Sequence, residues 1–390
     1  MESIIFSVIF IVISHLLLFF IFKGRYYAIF LSHASYVLVI SFIQFSGVVE
    51  FGDIADYLPY FTSFSQHLSN GDILSFIKPH APIYVLSFPG WLFSINDIDS
   101  FFAIRLVNTC ISILIIWPID NIYRKVFGVR LKVFQVFLVL LWLPFAFRLS
   151  GELGRTPVSI FSILLAIDLL LSKDVRFKSI GLVVMTYAIA LRVPHVVMFV
   201  PVLIYPMWTL FRVIKFKYRL VLFPVLAGLV LVVSLSFVGV FYKFSGENRQ
   251  FESMEDISEY SEGRGYGNSA YLLGMQLSMS SIIYYIPVHA LYFNYSPMIW
   301  DSLTNIKMLA SSLFSLFSFY LLIRFLRMKS SMSYNKRKLK ILTYSFLLSI
   351  SLFGMVTKNA GSAERWRMPI TLIYIAVLSH SLRSDCRDIN

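Results

Sequence analysis

Charge is scarce in this chain of 390 residues: Asp, Glu, Lys and Arg make up 14% of it against 58% hydrophobic residues. That is too little polar surface to clothe a water-soluble domain of this size, so the composition excludes an ordinary globular enzyme and implies that a bilayer forms part of the solvent. Cysteine is scarcer still. Cys110 lies in an apolar run and Cys386 in the tail, so no structural disulfide is expected. The Gly-rich phosphate loop, the dinucleotide fingerprint, the zinc-type His/Glu spacing and the nucleophilic serine elbow are all missing. Their absence argues against ATP hydrolysis and leaves neither a cofactor nor a metal expected. Internal repeats of roughly 20–50 residues and paired broken helices are missing too, which speaks against solenoids and many secondary transporters. Met1 to Phe22 carries Glu2 but no Lys or Arg, so the first apolar run reads as a retained helix and not as a cleaved signal.

What the chain has in abundance is apolar length. With 38 Phe and 22 Tyr, it suits helices that face acyl chains and end in interfacial belts. Runs able to cross ~30 Å at ~1.5 Å per residue fall at 3–22, 26–48, 101–119, 133–148, 156–172, 179–194, 195–211, 220–241, 306–326, 341–356 and 369–382. The expected fold is all-α, a single integral membrane domain over 1–390 built as a transmembrane bundle of about eleven helices. Arg192, Pro194 and His195 divide the run 179–211 at what reads as a tight outer turn. The Pro-rich, aromatic stretches His80 to Ile95 and Tyr284 to Trp300 read as interfacial or re-entrant segments. They fall within two large outer loops, 49–100 and 242–305, the second opening with a polar Gly/Ser-rich flap.

A net charge of +13 could suggest nucleic acid, but the basic residues stand in short clusters between apolar runs, which excludes it as a partner. With the N-terminus outside and the C-terminus cytoplasmic, 22 of 34 basic residues fall inside and 16 of 21 acidic residues outside, a strong positive-inside bias. The inner clusters are Lys23 and Arg25, Arg124 to Lys132, Lys173 to Lys178, Arg212 to Arg219, Arg324 to Lys340, and the tail.

Ionisable groups near the membrane cost several kcal/mol unless they are paired or line a wet cavity, so they are the informative residues. Arg105, Arg148, Glu152, Arg155, Arg192, His195, Glu364, Arg365 and Arg367 all map to outer helix ends. Together they would form a cationic cavity containing a few carboxylates. Guanidinium groups match phosphate oxygens bidentately, which suits a lipid-linked phosphate or pyrophosphate at the interface. Asp53 and Asp56, in Gly52 to Tyr60 with Tyr57 and Tyr60, are candidates for the base a glycosyl transfer needs; Asp53 reads equally well as a helix cap. Arg148, Glu152 and Arg155 could hold an anionic head group or neutralise one another. His195 fits a substrate contact or a hydrogen-bonded structural residue. Glu364 to Pro369 reads as a turn before the last helix, either an interfacial anchor or a phosphate clamp. Asp168 reads as a snorkelled charge at the cytoplasmic interface.

These features resemble the EpsG-like membrane proteins of exopolysaccharide and O-antigen synthesis, the Wzy-type polymerases. The likeness rests on the Lys23-Gly24-Arg25 turn, the Gly-x-Asp and Asp-Tyr-x-x-Tyr patterns at Gly52 to Tyr60, and Pro82 to Leu86. It continues in the Arg155 turn and in the His195 turn before Phe199 to Pro201. Thr156-Pro157 departs from that pattern, where Arg-Gln is more familiar. The Leu191 to Pro194 turn and Glu364 to Pro369 also resemble multi-spanning sugar transferases of the GT-C type. The resemblance implies glycosyl transfer on the outer face of a bacterial inner membrane, joining undecaprenyl-diphosphate-linked repeat units of O-antigen, capsule or exopolysaccharide. Asp53 or Asp56 would act on the acceptor hydroxyl, and Arg148, Arg155, Arg192, Arg365 and Arg367 would hold lipid phosphate. Tyr57, Tyr60, Glu152, His195 and Glu364 would contact substrate. Membrane lipids and a chain-length regulator are the implied partners. A transferase of single sugars from polyprenyl phosphate, or a polysaccharide-lipid transporter, would draw on similar residues.

Overall fold

The computed structural model describes residues 111–141, 156–191, 195–213, 281–296, 306–327, 335–357 and 360–384, parts of 9–27, Asn70 and Met298. Among the described residues the chain is helical and contains no strand. We number the helices α1 (Ile116–Phe127), α2 (Val133–Leu141), α3 (Thr156–Leu170), α4 (Val175–Leu191), α5 (Val196–Val213), α6 (Ile282–Tyr295), α7 (Ile306–Arg327), α8 (Lys336–Val356), α9 (Ala360–Leu378) and α10 (Ser381–Ser384). Two compact units divide the chain: Met1–Asp120 with Leu131–Leu165, and Asn121–Arg130 with Ala166–Asn390.

In the first unit the N-terminal helix ends at a left-handed turn. Lys23 (φ +52°) and Gly24 (φ +72°) let their N–H groups reach back to the carbonyls of Phe20 (3.1 Å) and Phe19 (2.8 Å), the paired closure that satisfies the last carbonyls of a helix. The expected Lys23-Gly24 turn is therefore present. Buried Asp120 accepts from the Leu131 N–H (2.8 Å) and from the Tyr26 hydroxyl (3.5 Å), while that hydroxyl also donates to the Leu131 carbonyl (2.8 Å). Gln135 accepts from the Lys132 N–H at 2.9 Å, which closes the start of α2.

The second unit is organised around α8, which packs against α5, α6 and α9. Gly354 explains how closely α6 approaches: a Cβ there would lie 2.8 Å from the His289 carbonyl carbon and oxygen and 2.9 Å from the Ala290 nitrogen. The His289 ring, stacked on Tyr285 at 3.9 Å, returns a hydrogen bond to the Gly354 carbonyl at 3.2 Å. On α7, Ser312, Ser315, Ser318 and Leu321 are buried, whereas Leu313, Leu316, Phe319, Tyr320, Ile323 and Leu326 are exposed. On α8, Ser345 and Ser349 are buried together with Ile341, Leu342, Ile350 and Phe353, while Tyr344 and Leu347 are exposed. The exposed face of α7 is thus largely apolar, unlike that of a water-facing helix, which is polar.

Among the described residues, one helix is long and apolar enough to cross a membrane, Lys336–Met355 of α8, with mean hydropathy 1.3. Eleven crossings go beyond this: among the described residues no second helix meets that length and hydropathy, and the expected span 220–241 and most of 26–48 lie outside the described residues. The helix break inside 179–211 is where the Pro-His turn put it: α4 stops at Leu191 and α5 starts at Val196. Pro157 sits in the first turn of α3, as its missing N–H favours.

Three boundaries differ from expectation. α1 continues to Phe127 instead of ending near 119, because Ile119, Ile122, Tyr123, Val126 and Phe127 form a buried stripe at helical spacing. α9 starts at Ala360, so Pro369 lies inside the helix and Glu364 to Pro369 is no turn before it. α6 is a helix of 14 residues packed against α8, within the stretch expected to be interfacial or re-entrant.

Asp168 also differs. It is buried and paired with Lys125, whose Nζ lies 2.6 Å from Oδ1, and Asn121 donates to its other oxygen at 3.2 Å. Lys125 also donates to the Asp168 backbone carbonyl. Snorkelling loses here because a partner is already within reach, supplied by the α1 extension.

Two stability predictions follow from these contacts. Gly354→Ala should lower stability by about 1–3 kcal/mol, read as a fall in thermal unfolding temperature, because backbone atoms of α6 cannot yield as a side chain would. Asp168→Ala alone should cost about 2–4 kcal/mol, moderated because Lys125 keeps 20% exposure, whereas Lys125→Met with Asp168→Leu should recover at least half of that loss.

Candidate functional site

Within the second unit two sets of polar contacts stand apart. The first is basic. Tyr123 Oη shares a 2.5 Å hydrogen bond with His380 Nδ1, and the His380 ring stacks on Phe127 at 3.9 Å. Arg383 donates to the Arg130 carbonyl (2.9 Å), the Asn335 N–H to the Val126 carbonyl (2.7 Å) and Arg324 Nε to the Ser381 carbonyl (3.4 Å). The Asn335 side chain accepts from the Lys338 N–H at 3.1 Å and so caps α8. Segments 121–130, 324–338 and 380–383, read from charge as lying on one side of a membrane, therefore meet at one end of this unit.

The other end holds His195 and Arg367. His195 occupies the turn that opens α5, and its Nε2 lies 3.2 Å from the Trp366 carbonyl, 171 positions away in sequence. Its ring meets Phe353 edge-on at 5.9 Å, and Phe353 in turn contacts Trp366 (5.4 Å) and Phe293 (5.8 Å). Arg367, 1% exposed, sends Nη1 to the Phe293 carbonyl (2.7 Å) and Nη2 to the Ser296 carbonyl (2.6 Å). Both acceptors belong to the C-terminus of α6, where Ser296 is the cap, so the guanidinium closes that helix and meets the negative end of its dipole. Arg367 stands 13 residues before His380, about 20 Å along a helix axis, which separates this cluster from the basic end.

Of the residues the sequence singled out, His195 and Arg367 are thus brought into one aromatic-walled cluster, joined through Trp366. Glu364 and Arg365 lie in the first half of α9. Asp53, Asp56, Tyr57, Tyr60, Arg148, Glu152, Arg155 and Arg192 lie outside the described residues. Sequence reasoning passed over Asn121, Tyr123 and His380. The i, i+4 spacing of Asn121 and Lys125 on one helix face was the available signal for the Asp168 partners.

Arg367→Ala should therefore leave two buried carbonyls without donors and destabilise the chain by about 2–5 kcal/mol in thermal or chemical unfolding. Arg367→Lys should restore only part of that, since an ammonium lacks the fork that spans both carbonyls. Compared with known proteins, the chain matches no family model, no curated protein and no solved structure.

Proposed function

We propose that this chain is a polytopic membrane glycosyltransferase of the Wzy type, joining undecaprenyl-diphosphate-linked repeat units on the outer face of a bacterial inner membrane. The observation that carries the reading is the meeting of His195 and Arg367 through Trp366, at the end of the second unit remote from its basic segments. Positive-inside bias makes the basic end cytoplasmic, so the His195 cluster faces outward, where lipid-linked sugars are polymerised. Serines turned inward and leucines turned outward on α7 suit a helix dissolved in acyl chains.

In the proposed reaction the acceptor hydroxyl oxygen attacks the anomeric carbon of the donor sugar while the bond from that carbon to the diphosphate oxygen breaks. Asp53 or Asp56 takes the hydroxyl proton. The departing undecaprenyl diphosphate carries the bonding electrons, and Arg148, Arg155, Arg192 and Arg365 balance its charge. Arg367, whose two Nη groups already donate to α6 carbonyls, adds fixed positive potential from a buried position.

The test is glycan analysis in a bacterium producing the polymer, with Asp53→Asn, Asp56→Asn and Arg155→Ala made separately. Loss of the base should reduce transfer by roughly 10²-fold or more, giving short chains or single repeats on the lipid core. Long chains retained in all three variants would remove this site, and an incomplete repeat in a deletion strain would identify a single-sugar transferase instead.

A further inference from the structure

An apolar cavity of about 350 Å³ lies in the second unit among α6, α7, α8 and α9. Its volume is more than twice the roughly 150 Å³ that admits a benzene-sized guest. The lining runs along α8 from Leu339 to Ile350, about 16 Å of helix, so the space is elongated as well as apolar. Of its four polar lining side chains, three are spent on one another or on backbone, the Tyr295 and Tyr374 hydroxyls meeting at 3.3 Å and Thr343 donating to the Leu339 carbonyl at 2.9 Å, and the fourth is Asn294. Leu326 in its wall is 73% exposed and Leu347 is also exposed, so the cavity opens sideways and is not sealed inside the bundle.

One end of this space is charged. Leu326 and Leu339 line it, and beside them in sequence stand the exposed Arg327, Lys336 and Lys340. Residues 324–340 contain seven basic side chains and no acidic one. A slot for a hydrocarbon chain that ends in a cationic mouth complements an amphiphile with a long tail and an anionic head. The geometry points to a binding site for an anionic phospholipid, with one acyl chain in the cavity and the head-group phosphate on Arg327, Lys336 and Lys340. This inference rests on the bilayer reading given under Proposed function but not on glycosyl transfer, because the mouth lies at the basic end, away from His195.

The experiment is native mass spectrometry of the full chain purified in a non-ionic detergent. It is titrated with phosphatidylglycerol, with phosphatidylcholine of the same acyl chains, and with glycerol phosphate alone. Phosphatidylglycerol should bind at least tenfold more tightly than phosphatidylcholine, and glycerol phosphate should not compete. Arg327→Gln, Lys336→Gln and Lys340→Gln, at exposed positions that leave the fold intact, should each weaken phosphatidylglycerol about fivefold and leave phosphatidylcholine unchanged. Thr343→Trp, at an exposed wall position, should obstruct the slot and abolish the preference. Equal binding of the two lipids, competition by glycerol phosphate, or a preference that survives the triple charge variant overturns the site. A chain that stays monodisperse without detergent overturns the bilayer reading instead, so the two failures are told apart.

Discussion

The close approach of α6 to α8, with small and hydroxyl side chains among the buried positions of α7 and α8, is the constraint on which the second unit depends. On α7, Ser312, Ser315 and Ser318 are buried with Leu321, and on α8, Ser345 and Ser349 are buried beside Ile341, Leu342, Ile350 and Phe353, while Leu313, Leu316, Phe319, Tyr344 and Leu347 are exposed. Ser312 donates to the Met298 carbonyl at 3.1 Å, and two of the other serines return their hydroxyls to their own helix. Ser318 donates to the Ser315 carbonyl at 2.9 Å and Ser349 to the Ser345 carbonyl at 2.6 Å. Each donor is satisfied locally and the small side chain leaves room for a neighbouring backbone. Gly354 carries the same logic to its limit, letting α6 backbone come within the reach of a Cβ that is not there. The large hydrocarbons left exposed on the same helices are those an apolar environment would cover.

Within that frame, charge is tolerated only where it is tied. Lys125, Asn121 and Asp168 form one closed set, and Tyr123 and His380 another, so these polar groups lock the ends of α1, α3 and α9.

Much of this was legible in the sequence, and what was missed has a common cause. Apolar length located α7 and α3 closely, and the Arg192 to His195 interruption marked the break between α4 and α5, because Pro and charge act locally. The end of α1 was missed because hydropathy stops at the first polar residues, although the buried stripe continues through Tyr123 and Phe127. Pro369 was read as a helix start by its commonest position, but it sits inside α9. The pairing of Asp168 with Lys125 joins positions 43 apart, and the capping of α6 by Arg367 joins positions more than 70 apart. Neither has a local signature, so only the packed structure could reveal them.

The position of Arg367 also narrows how the His195 cluster could work. Two of its N–H groups point to carbonyls of α6, so turning them to a phosphate would uncover buried acceptors at a cost of about 1–3 kcal/mol each. A mobile clamp is therefore the wrong role for it. A guanidinium held in place by a helix terminus instead gives a charge that needs no reorganisation when an anion arrives nearby, the condition under which electrostatic stabilisation is most effective. His195 is held through the carbonyl of the preceding residue, Trp366, so the orientation of the imidazole and the position of the charge are set by the same turn of α9. Any shift of α9 that releases one must disturb the other, and α6 with them.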